Sequence, residues 1–365
     1  MKLAVVGAGS TYTPELVSGL SRLRVDTLAL HDVDAERLEV VGGLARRMLD
    51  RQGYTGDLAL GSDLDAAVEG ADFVLIQIRV GGQEARLRDE TIPLRCGCIG
   101  QETTGAGGFA KAMRTVPVVL EIAERVRDLA APGAWVVDFT NPVGIVTRAL
   151  LDGGHRAVGL CNVAIGFQRQ FAGWLGVEPA RVVVDQVGLN HLTWVRGVLL
   201  DGEDVLPALL AEHGDELAGE IERELLQMYR DPELTEKPAL LDRRGGAYYS
   251  EAAVGLVGSL VAGDGAIHVV DVRNGRTLAG LAADDVVEVP AAVGRGGPEP
   301  LPQEPLAPEL LGLVQHVAAY ERLTVRAALS RDPVDARKAL LAHPLIGQVE
   351  LVDGLLDRLV AEAVH

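Results

Sequence analysis

The stretch that decides the fold is Lys2-Leu-Ala-Val-Val-Gly7-Ala-Gly9-Ser10-Thr11-Tyr12-Thr13-Pro14-Glu15-Leu16. Its apolar start, Leu3 to Val6, is typical of a strand that is buried on both faces of a parallel sheet. The Gly7-x-Gly9-Ser10 turn that follows lets the backbone approach a ligand, because no Cβ atom stands in the way. We then expect Thr13 to be the N-cap of a helix and Pro14 its first residue.

A strand, a glycine turn and a helix N-terminus together form a site for the pyrophosphate of a dinucleotide. The predicted cofactor contacts in this turn are Gly7, Gly9, Ser10 and Thr11. Tyr12 stands where the third glycine of the G-x-G-x-x-G pattern would be. From the residues alone, a tight structural turn or another anion therefore stays open as an alternative.

Asp32 supplies the second half of this dinucleotide signature. A second strand is predicted from Asp26 to Leu30, and Asp32 follows it about 20 residues beyond the glycines, where a carboxylate accepts the ribose hydroxyls of NAD. The same carboxylate would repel a 2′-phosphate, so NAD is favoured over NADP. Asp32 could instead cap the next helix, although Asp34 is the better candidate for that role.

Composition excludes several classes of function. The 365 residues are 48% hydrophobic and 24% charged, which is enough for a sizeable core. A net charge of −18 argues against nucleic acid or an anionic membrane surface as a partner. No signal peptide and no apolar run of about 18 residues is visible. Three cysteines, Cys96, Cys98 and Cys161, are too few for a disulfide scaffold, so we expect a cytoplasmic protein.

Strands and helices alternate over the first 160 residues, which predicts an α/β fold with a doubly wound parallel sheet. A strand at 71–78 ends at Arg79-Val-Gly-Gly82, at the sheet edge where such folds bind ligands, so Arg79 is a further candidate cofactor contact. Residues 100–108 are so rich in glycine that we expect a loop, with a helix at 114–130 and a further one from Pro142. Residues 294–308, rich in proline and glycine, predict an irregular loop.

Cys161 and His191 each follow a predicted strand and each adjoin an asparagine. A thiolate and an imidazole could together bind one divalent metal ion, with open positions for a substrate. The alternatives are a buried cysteine that only packs and a histidine that only satisfies hydrogen bonds. The spacing of the two residues does not decide between these readings.

Seven motifs occur in the order seen in the family-4 glycoside hydrolases, the NAD- and metal-dependent 6-phospho-glycosidases, which this chain resembles. They are Gly7-x-Gly-Ser-Thr-Tyr-Thr-Pro-Glu, Arg79-Val-Gly-Gly, Gly100-Gln-Glu-Thr-Thr-Gly, Asn141-Pro, Gly159-Leu-Cys-Asn-Val, Gly188-Leu-Asn-His and Arg244-Gly-Gly-Ala-Tyr-Tyr-Ser. The resemblance implies a Rossmann NAD domain at residues 1–160. It also implies an α+β domain of the lactate/malate dehydrogenase kind at 161–365, which would bind metal and substrate and form a homodimer or homotetramer.

The resemblance also implies a mechanism. NAD⁺ takes a hydride from C3 of the sugar, a tyrosine removes the acidified C2 proton, and the aglycone leaves by β-elimination. Water then adds, and the hydride returns. The resemblance assigns Tyr249 as the base, and Tyr248 is the alternative candidate. The two tyrosines could instead be an aromatic pair that only packs in the core. It assigns the metal, commonly Mn²⁺, to Cys161 and His191, and substrate contacts to Arg86, Asn141, Asn162 and Arg244.

The Cys161-Asn162 pair is similar to that of family members acting on β-linked substrates, so a 6-phospho-β-glucosidase is expected. The segment 200–243 is shorter than in the family, so a non-phosphorylated sugar stays open as the substrate. An α-linked sugar is a further alternative within the same family. Two further alternatives are a simple NAD-dependent 2-hydroxy acid dehydrogenase and a non-catalytic sensor of NAD or sugar phosphate.

Overall fold

The computed structural model describes residues 1–20, 23–217 and 249–363. The amino-terminal strands are short and mostly apolar, and all except the edge strand Asp57–Gly61 are almost fully buried, as a parallel sheet covered on both faces requires. They are β1 (Lys2–Val6), β2 (Thr27–His31), β3 (Asp57–Gly61), β4 (Phe73–Ile76), β5 (Trp135–Asp138) and β6 (Ala157–Gly159). Their order, β3-β2-β1-β4-β5-β6, is that of a Rossmann sheet, and all of these pairs are parallel.

The sheet continues without a break into an antiparallel half. Its strands are β7 (Val182–Leu189), β8 (Leu192–Leu200), β9 (Glu203–Asp204), β10 (Ala266–Arg273), β11 (Val286–Gly294) and β12 (Gly297–Pro300). The order beyond β6 is β10-β11-β7-β8-β9, with β12 paired to the outer part of β11. The predicted α/β fold with a doubly wound parallel sheet is therefore confirmed.

Helices cover both faces of this sheet. They are α1 (Thr13–Gly19), α2 (Ala35–Gln52), α3 (Leu64–Val68), α4 (Gly82–Arg95), α5 (Gly105–Leu129), α6 (Val143–Asp152), α7 (Asn162–Leu175), α8 (Leu206–Leu217), α9 (Tyr249–Ala262), α10 (Pro308–Ser330), α11 (Pro333–Ala342) and α12 (Val349–Ala363). One face buries Ala4, Val74 and Val146 with α3, α5 and α6. The other face buries Leu3, Leu16 and Leu256 with α1 and α9.

The expected loop at 100–108 is wrong in its second half, because α5 begins at Gly105 and not near residue 114. Glycine is required there by close packing. A Cβ on Gly107 would lie 2.2 Å from the Gln101 carbonyl oxygen, and one on Gly108 would lie 2.7 Å from the backbone of Thr103. The first turn of α5 is thus wedged against the loop before it, which no side chain would permit.

Three smaller expectations also need correction. Thr13 is the first residue of α1 and Tyr12 holds the N-cap position, because the buried Thr13 hydroxyl accepts a hydrogen bond from Gln77. Pro142, which follows Asn141 through a cis peptide bond, is the N-cap of α6 and not its first residue. The expected loop at 294–308 contains a strand, since Pro298 and Pro300 lie in β12 on the edge of the sheet, where proline is tolerated.

All three cysteines are free thiols. Within the described ranges, no helix combines the length and the apolar character that crossing a bilayer would need.

Candidate active site

The glycine turn after β1 has the shape that a bound cofactor would need. Gly7 has a φ of +92°, and a Cβ there would lie 2.6 Å from the Gln77 carbonyl oxygen. A Cβ on Gly9 would lie 2.8 Å from Oδ2 of Asp32. The turn is held from behind by the carbonyl of His31, which accepts from the backbone N–H groups of Gly7 and Ala8. Only glycine fits these two positions, so the front of the turn presents bare backbone to a ligand.

Asp32 is joined directly to this turn. Its Oδ2 atom accepts from the Gly9 N–H at 2.7 Å, and its Oδ1 atom accepts from the Asp34 N–H at 2.9 Å. Each carboxylate oxygen keeps a further lone pair, which can accept a ribose hydroxyl. Asp34 is the N-cap of α2, as expected, and accepts from the Arg37 N–H. The structure therefore gives these two neighbouring aspartates different tasks.

Arg37 is a contact of the turn that the sequence did not single out. Its guanidinium donates to the Gly9 carbonyl through Nε at 3.2 Å and Nη2 at 3.1 Å. On the other side of the turn, Ser10 is half-buried, and its hydroxyl accepts from the Tyr12 N–H at 3.3 Å, while Thr11 is exposed. Gly7, Gly9, Ser10 and Thr11 thus form one continuous turn, which Asp32 and Arg37 contact.

Glu102 forms ion pairs with three cationic side chains. Two of them are Arg79, the candidate cofactor contact, and Arg86, the candidate substrate contact. The Arg79 guanidinium donates to Oε2 of Glu102, which Lys111 Nζ also contacts at 3.0 Å. Nε of Arg86 lies 3.6 Å from Oε1 of Glu102 and 2.9 Å from a Glu90 oxygen. Burial alone would raise the pKa of Glu102, but hydrogen bonds and charges from Arg79 and Lys111 lower it to about 2. Glu102 is thus an anion that ties α4 and α5 to the loop after β4.

Lys111 is the largest omission of the sequence-based prediction. Its side chain is only 4% exposed, and burial lowers the pKa of its ammonium group, which Glu102 partly offsets. The signal was present in the sequence, because Lys111 lies in the apolar start of α5, where a lone lysine needs a partner.

Cys161 is buried at the start of α7, directly after β6. Burial raises the pKa of its thiol to about 12, and the nearby Glu288 charge adds to this effect. A hydrogen bond from the side chain of Asn190, the residue before His191, opposes the rise. The predicted metal ligand Cys161 therefore lies near the turn that carries the other one.

His191 lies in the two-residue turn between β7 and β8 and has a left-handed φ of +62°. Its ring is exposed to solvent, yet the protein atoms that crowd it lower its pKa by desolvation, and the Lys111 ammonium lowers it further. Such a backbone conformation is uncommon for a residue other than glycine and is often found at functional sites. The turn thus holds a neutral imidazole, the form that binds metals, beside the Glu102 cluster.

The donor set of Cys161 and His191 fits a divalent transition metal with open coordination positions. Within the described residues, no group of three or more His, Cys, Asp and Glu side chains is arranged to hold an ion. A metal ion held by Cys161 and His191 would keep coordination positions that oxygen ligands could fill.

Asn141 and Asn162, the predicted substrate contacts, follow the neighbouring strands β5 and β6. Among the described residues, no group hydrogen bonds to the buried Oδ1 atom of Asn141. A buried amide oxygen normally has a partner, so this atom is available to a ligand. The carbonyl oxygen of the Asn162 side chain lies 4.0 Å from the Cys161 sulfur.

The Tyr249 end of helix α9 faces the Cys161 region across a cavity of about 500 Å³. Its lining includes Cys161, Ala164, Gln168, Glu251, Ile267 and His268. The backbone of Tyr249 is described as the first residue of α9, whereas its side chain, Tyr248 and Arg244 lie outside the described residues. The structure thus brings the start of α9 and Cys161 to the same cavity.

Comparison with known proteins gives consistent matches over nearly the whole chain. Residues 2–177 match "Family 4 glycosyl hydrolase", and residues 212–346 match "Family 4 glycosyl hydrolase C-terminal domain". A Bacillus subtilis protein named "Probable 6-phospho-beta-glucosidase" is 36% identical over 99% of this chain and 96% of its own.

Solved structures agree with these matches. The 6-phospho-beta glucosidase from Thermotoga maritima, determined with manganese, NAD⁺ and glucose-6-phosphate, is similar with a TM-score of 0.86 and 32% identity, covering 99% of this chain and 98% of that one. The malate dehydrogenase of Cryptosporidium parvum shares the fold alone, with a TM-score of 0.64 and 17% identity over 90% of this chain and 99% of that one.

Proposed function

The chain belongs to the family 4 glycosyl hydrolases, and on that premise we propose that it hydrolyses 6-phospho-β-glucosides with the help of NAD and a divalent metal ion, Mn²⁺. The observation that carries the proposal is the convergence of the Gly7 turn, Asp32, Arg79 and Cys161 at the carboxyl ends of parallel strands, with the Asn190-His191 turn against Cys161. Ligands of such sheets bind at this edge.

The cofactor site is proposed on the steric demands of the turn. Gly7 and Gly9 leave room for a pyrophosphate, with Ser10 and Thr11 beside it, and Asp32 accepts the adenosine ribose hydroxyls. Arg79, held by Glu102, lies on the loop after β4, next to the turn. The NAD-bound structure of the Thermotoga maritima relative supports this choice of cofactor.

The reacting groups are proposed on the cavity between Cys161 and α9. Cys161 and His191 would hold the metal ion. When bound, NAD⁺ supplies a hydride acceptor for C3 and the metal ion supplies positive charge beside the sugar hydroxyls. The phenolate oxygen of Tyr249 would take the proton from C2. A phenol has an ordinary pKa near 10, so this role needs neighbouring positive charge.

Four residues are proposed to hold the sugar. Arg86 is bound to both Glu90 and Glu102 and is 42% exposed, so its guanidinium can still reach a ligand. Asn141 offers its Oδ1 atom, and Asn162 adjoins the metal cysteine. Arg244, five residues before α9 begins, is proposed as the fourth contact through the sequence motif that it shares with Tyr249.

The division of labour along the chain is also a proposal. Residues 1–160 would bind NAD, and residues 161–365 would bind metal and substrate and form a homodimer or homotetramer. Leu87, Leu94 and Ile99 support an oligomer, since these apolar side chains are between 57% and 61% exposed. Three free thiols support a reducing, cytoplasmic setting. Light scattering of the purified protein tests the oligomeric state.

A direct assay tests the activity. The protein is incubated with NAD⁺, Mn²⁺, a thiol reductant and p-nitrophenyl 6-phospho-β-glucoside, with the free glucoside and the α-anomers in parallel. We expect nitrophenol release from the phosphorylated β-anomer that depends on both NAD⁺ and Mn²⁺. Absence of release from all four substrates would overturn the proposed activity. Net accumulation of NADH with a 2-hydroxy acid would instead indicate a dehydrogenase.

A further inference from the structure

We propose that Glu288 is a positioning residue for the metal site, which holds the Asn190 amide and so fixes the turn that presents His191. This inference rests on the proposed function, in which Cys161 and His191 bind Mn²⁺. Glu288 lies 98 residues beyond Asn190 in the sequence and belongs to none of the seven motifs.

Glu288 lies in a row that connects the strands of the two metal ligands. Reading across the sheet, Gly159 of β6 pairs with Asp271 of β10, Asp271 with Glu288 of β11, and Glu288 with Gly188 of β7. Gly159 stands two residues before Cys161, and Gly188 stands three before His191. Glu288 therefore lies between the segment that carries Cys161 and the segment that carries His191. A metal ion bound by both residues would need these two segments at a fixed distance.

The glycines at the ends of this row are packed so closely that neither has space for a Cβ. A Cβ on Gly159 would lie 2.8 Å from the Asp271 Cβ, and one on Gly188 would lie 2.2 Å from the Leu192 carbonyl oxygen. Directly opposed residues of antiparallel strands direct their side chains to the same face of a sheet. The Asp271 and Glu288 carboxyl groups thus share one face of the sheet.

Both oxygens of Glu288 hold an amide from β7 or its turn. Oε1 accepts from Nδ2 of Asn190 at 3.0 Å, and Oε2 accepts from Nε2 of Gln186 at 2.8 Å. All three residues are at least nine-tenths buried. A carboxylate suits this position because it offers two acceptors and no donor. In a Glu288→Gln variant, the NH₂ group of the new amide would face either Asn190 Nδ2 or Gln186 Nε2, so that two donors would meet and one hydrogen bond would be lost.

Asn190 transmits this constraint to the ligands. Its amide donates to Glu288, its side chain also lies near enough to Cys161 to lower the pKa of that thiol, and His191 is the next residue in the chain. Helix α6 packs closely beside this residue, since a Cβ on Gly144 would lie 3.3 Å from the Asn190 Cβ. His191 follows in the left-handed conformation, which needs surrounding structure to maintain it.

Residues that orient metal ligands typically contribute about 10- to 100-fold to metal affinity. The experiment measures the Kd for Mn²⁺ from the electron paramagnetic resonance signal of free Mn²⁺, without substrate. The proteins are the wild type, Glu288→Gln, Asn190→Ala, the double variant and Cys161→Ser. Glu321→Gln is the matched control, because Glu321 is a 4% exposed glutamate whose carboxylate approaches Gly144 from the same region. NAD affinity and thermal unfolding are measured on each protein.

The expected result is a Kd for Mn²⁺ about 10- to 100-fold higher in Glu288→Gln, with NAD affinity and the Glu321→Gln control unchanged. If Glu288 acts through Asn190, the double variant binds Mn²⁺ as Asn190→Ala does alone. If Cys161→Ser fails to bind Mn²⁺, either of two results would overturn the inference. One is an unchanged Mn²⁺ affinity in Glu288→Gln, and the other is a loss of Mn²⁺ affinity in Glu321→Gln as large as that in Glu288→Gln. If Cys161→Ser binds as the wild type does, the proposed metal site falls and this inference falls with it.

Discussion

The backbone N–H of Gly9 donates to the Asp32 carboxylate at 2.7 Å, which joins the glycine turn to the end of the neighbouring strand. This bond holds one carboxylate oxygen so close to the turn that a Cβ on Gly9 would lie only 2.8 Å from it. The turn and the carboxylate thus form one rigid unit, and a ligand that contacts one of them must also meet the other.

We expect Asp32→Ala to weaken NAD binding by about 10- to 100-fold, since hydrogen bonds to a charged group contribute about 1.5–3 kcal/mol. The variant should also lose the preference for NAD over NADP, because the charge that repels a 2′-phosphate is gone. Asp34→Ala is the control, since it removes only the N-cap of α2 and should cost about 0.5–2 kcal/mol of stability while NAD affinity stays the same. Calorimetric titration with both cofactors measures the effect, and equal losses in the two variants would contradict it.

Replacing either predicted metal ligand should remove tight Mn²⁺ binding. We expect Cys161→Ser and His191→Ala each to lower Mn²⁺ affinity by more than the roughly 10- to 100-fold that is typical of residues supporting a ligand. Cys98→Ser is matched to Cys161→Ser, because Cys98 is also a buried free thiol but lies beyond the end of α4. The Cys98 variant should bind Mn²⁺ as the wild type does. Equal binding by all three variants would place the metal elsewhere.

The ion pairs of Glu102 should make stability depend on pH. Its pKa in the folded protein is about 2, below the ordinary value of 4.5, so the unfolded chain takes up the proton first as the pH falls. The stabilisation is complete above pH 4.5 and is lost as the pH falls through the folded pKa, and it amounts to roughly 3 kcal/mol at most.

Glu102→Gln lacks this contribution, so the wild type should unfold more readily relative to the variant as the pH falls from 4.5 to 2. Urea unfolding of both proteins across this range measures the difference. Parallel pH profiles would show that Glu102 carries no such stabilisation.

The glycines at the start of α5 should resist substitution. Replacing an exposed glycine in a helix by alanine normally stabilises the protein by up to about 1 kcal/mol. We expect Gly107→Ala to destabilise instead, because its Cβ would lie 2.2 Å from the Gln101 carbonyl oxygen and 2.4 Å from that of Asp89. Gly43→Ala in α2 is the control and should stabilise, since its Cβ meets only the end of Arg47 at 3.6 Å. Thermal unfolding compares them, and stabilisation by both would contradict the close packing.

Much of the fold could be predicted from the sequence, because buried parallel strands are apolar runs and a crossover helix can carry a clear N-cap such as Asp34. The helix from Gly105 was missed because glycine usually disfavours helices, and only the packing against Gln101 explains its use. The strand Gly297–Pro300 was missed for a similar reason, since its prolines are tolerated only at an edge.

In the candidate site too, local features could be predicted from the sequence and contacts between distant segments could not. The Gly7 turn, Asp32 and Arg79 are local signals that follow their own strands, so their chemistry could be predicted. Contacts between distant segments could not, because no spacing rule links Lys111 to His191 or Asn190 to Glu288. These contacts depend on the order of strands in the sheet, and the order in the antiparallel half could not be predicted from the sequence.

Tyr249→Phe should lower kcat by about 10²- to 10⁴-fold, which is the range for loss of a general base. NAD and Mn²⁺ affinities should be unchanged, because Tyr249 begins α9 and is not among the proposed ligands of either. Steady-state kinetics and the two binding assays check this expectation. A variant with full kcat would exclude Tyr249 as the base.

Removal of the C2 proton is the central claim, and isotope exchange tests it most directly. The protein is given NAD⁺, Mn²⁺ and a 6-phospho-β-glucoside that carries deuterium at C2, and the released sugar phosphate is analysed by mass spectrometry. The proposed reaction predicts sugar that has lost its deuterium to solvent, and slower loss in Tyr249→Phe. Cleavage to a sugar that keeps its C2 deuterium would contradict the proposed elimination.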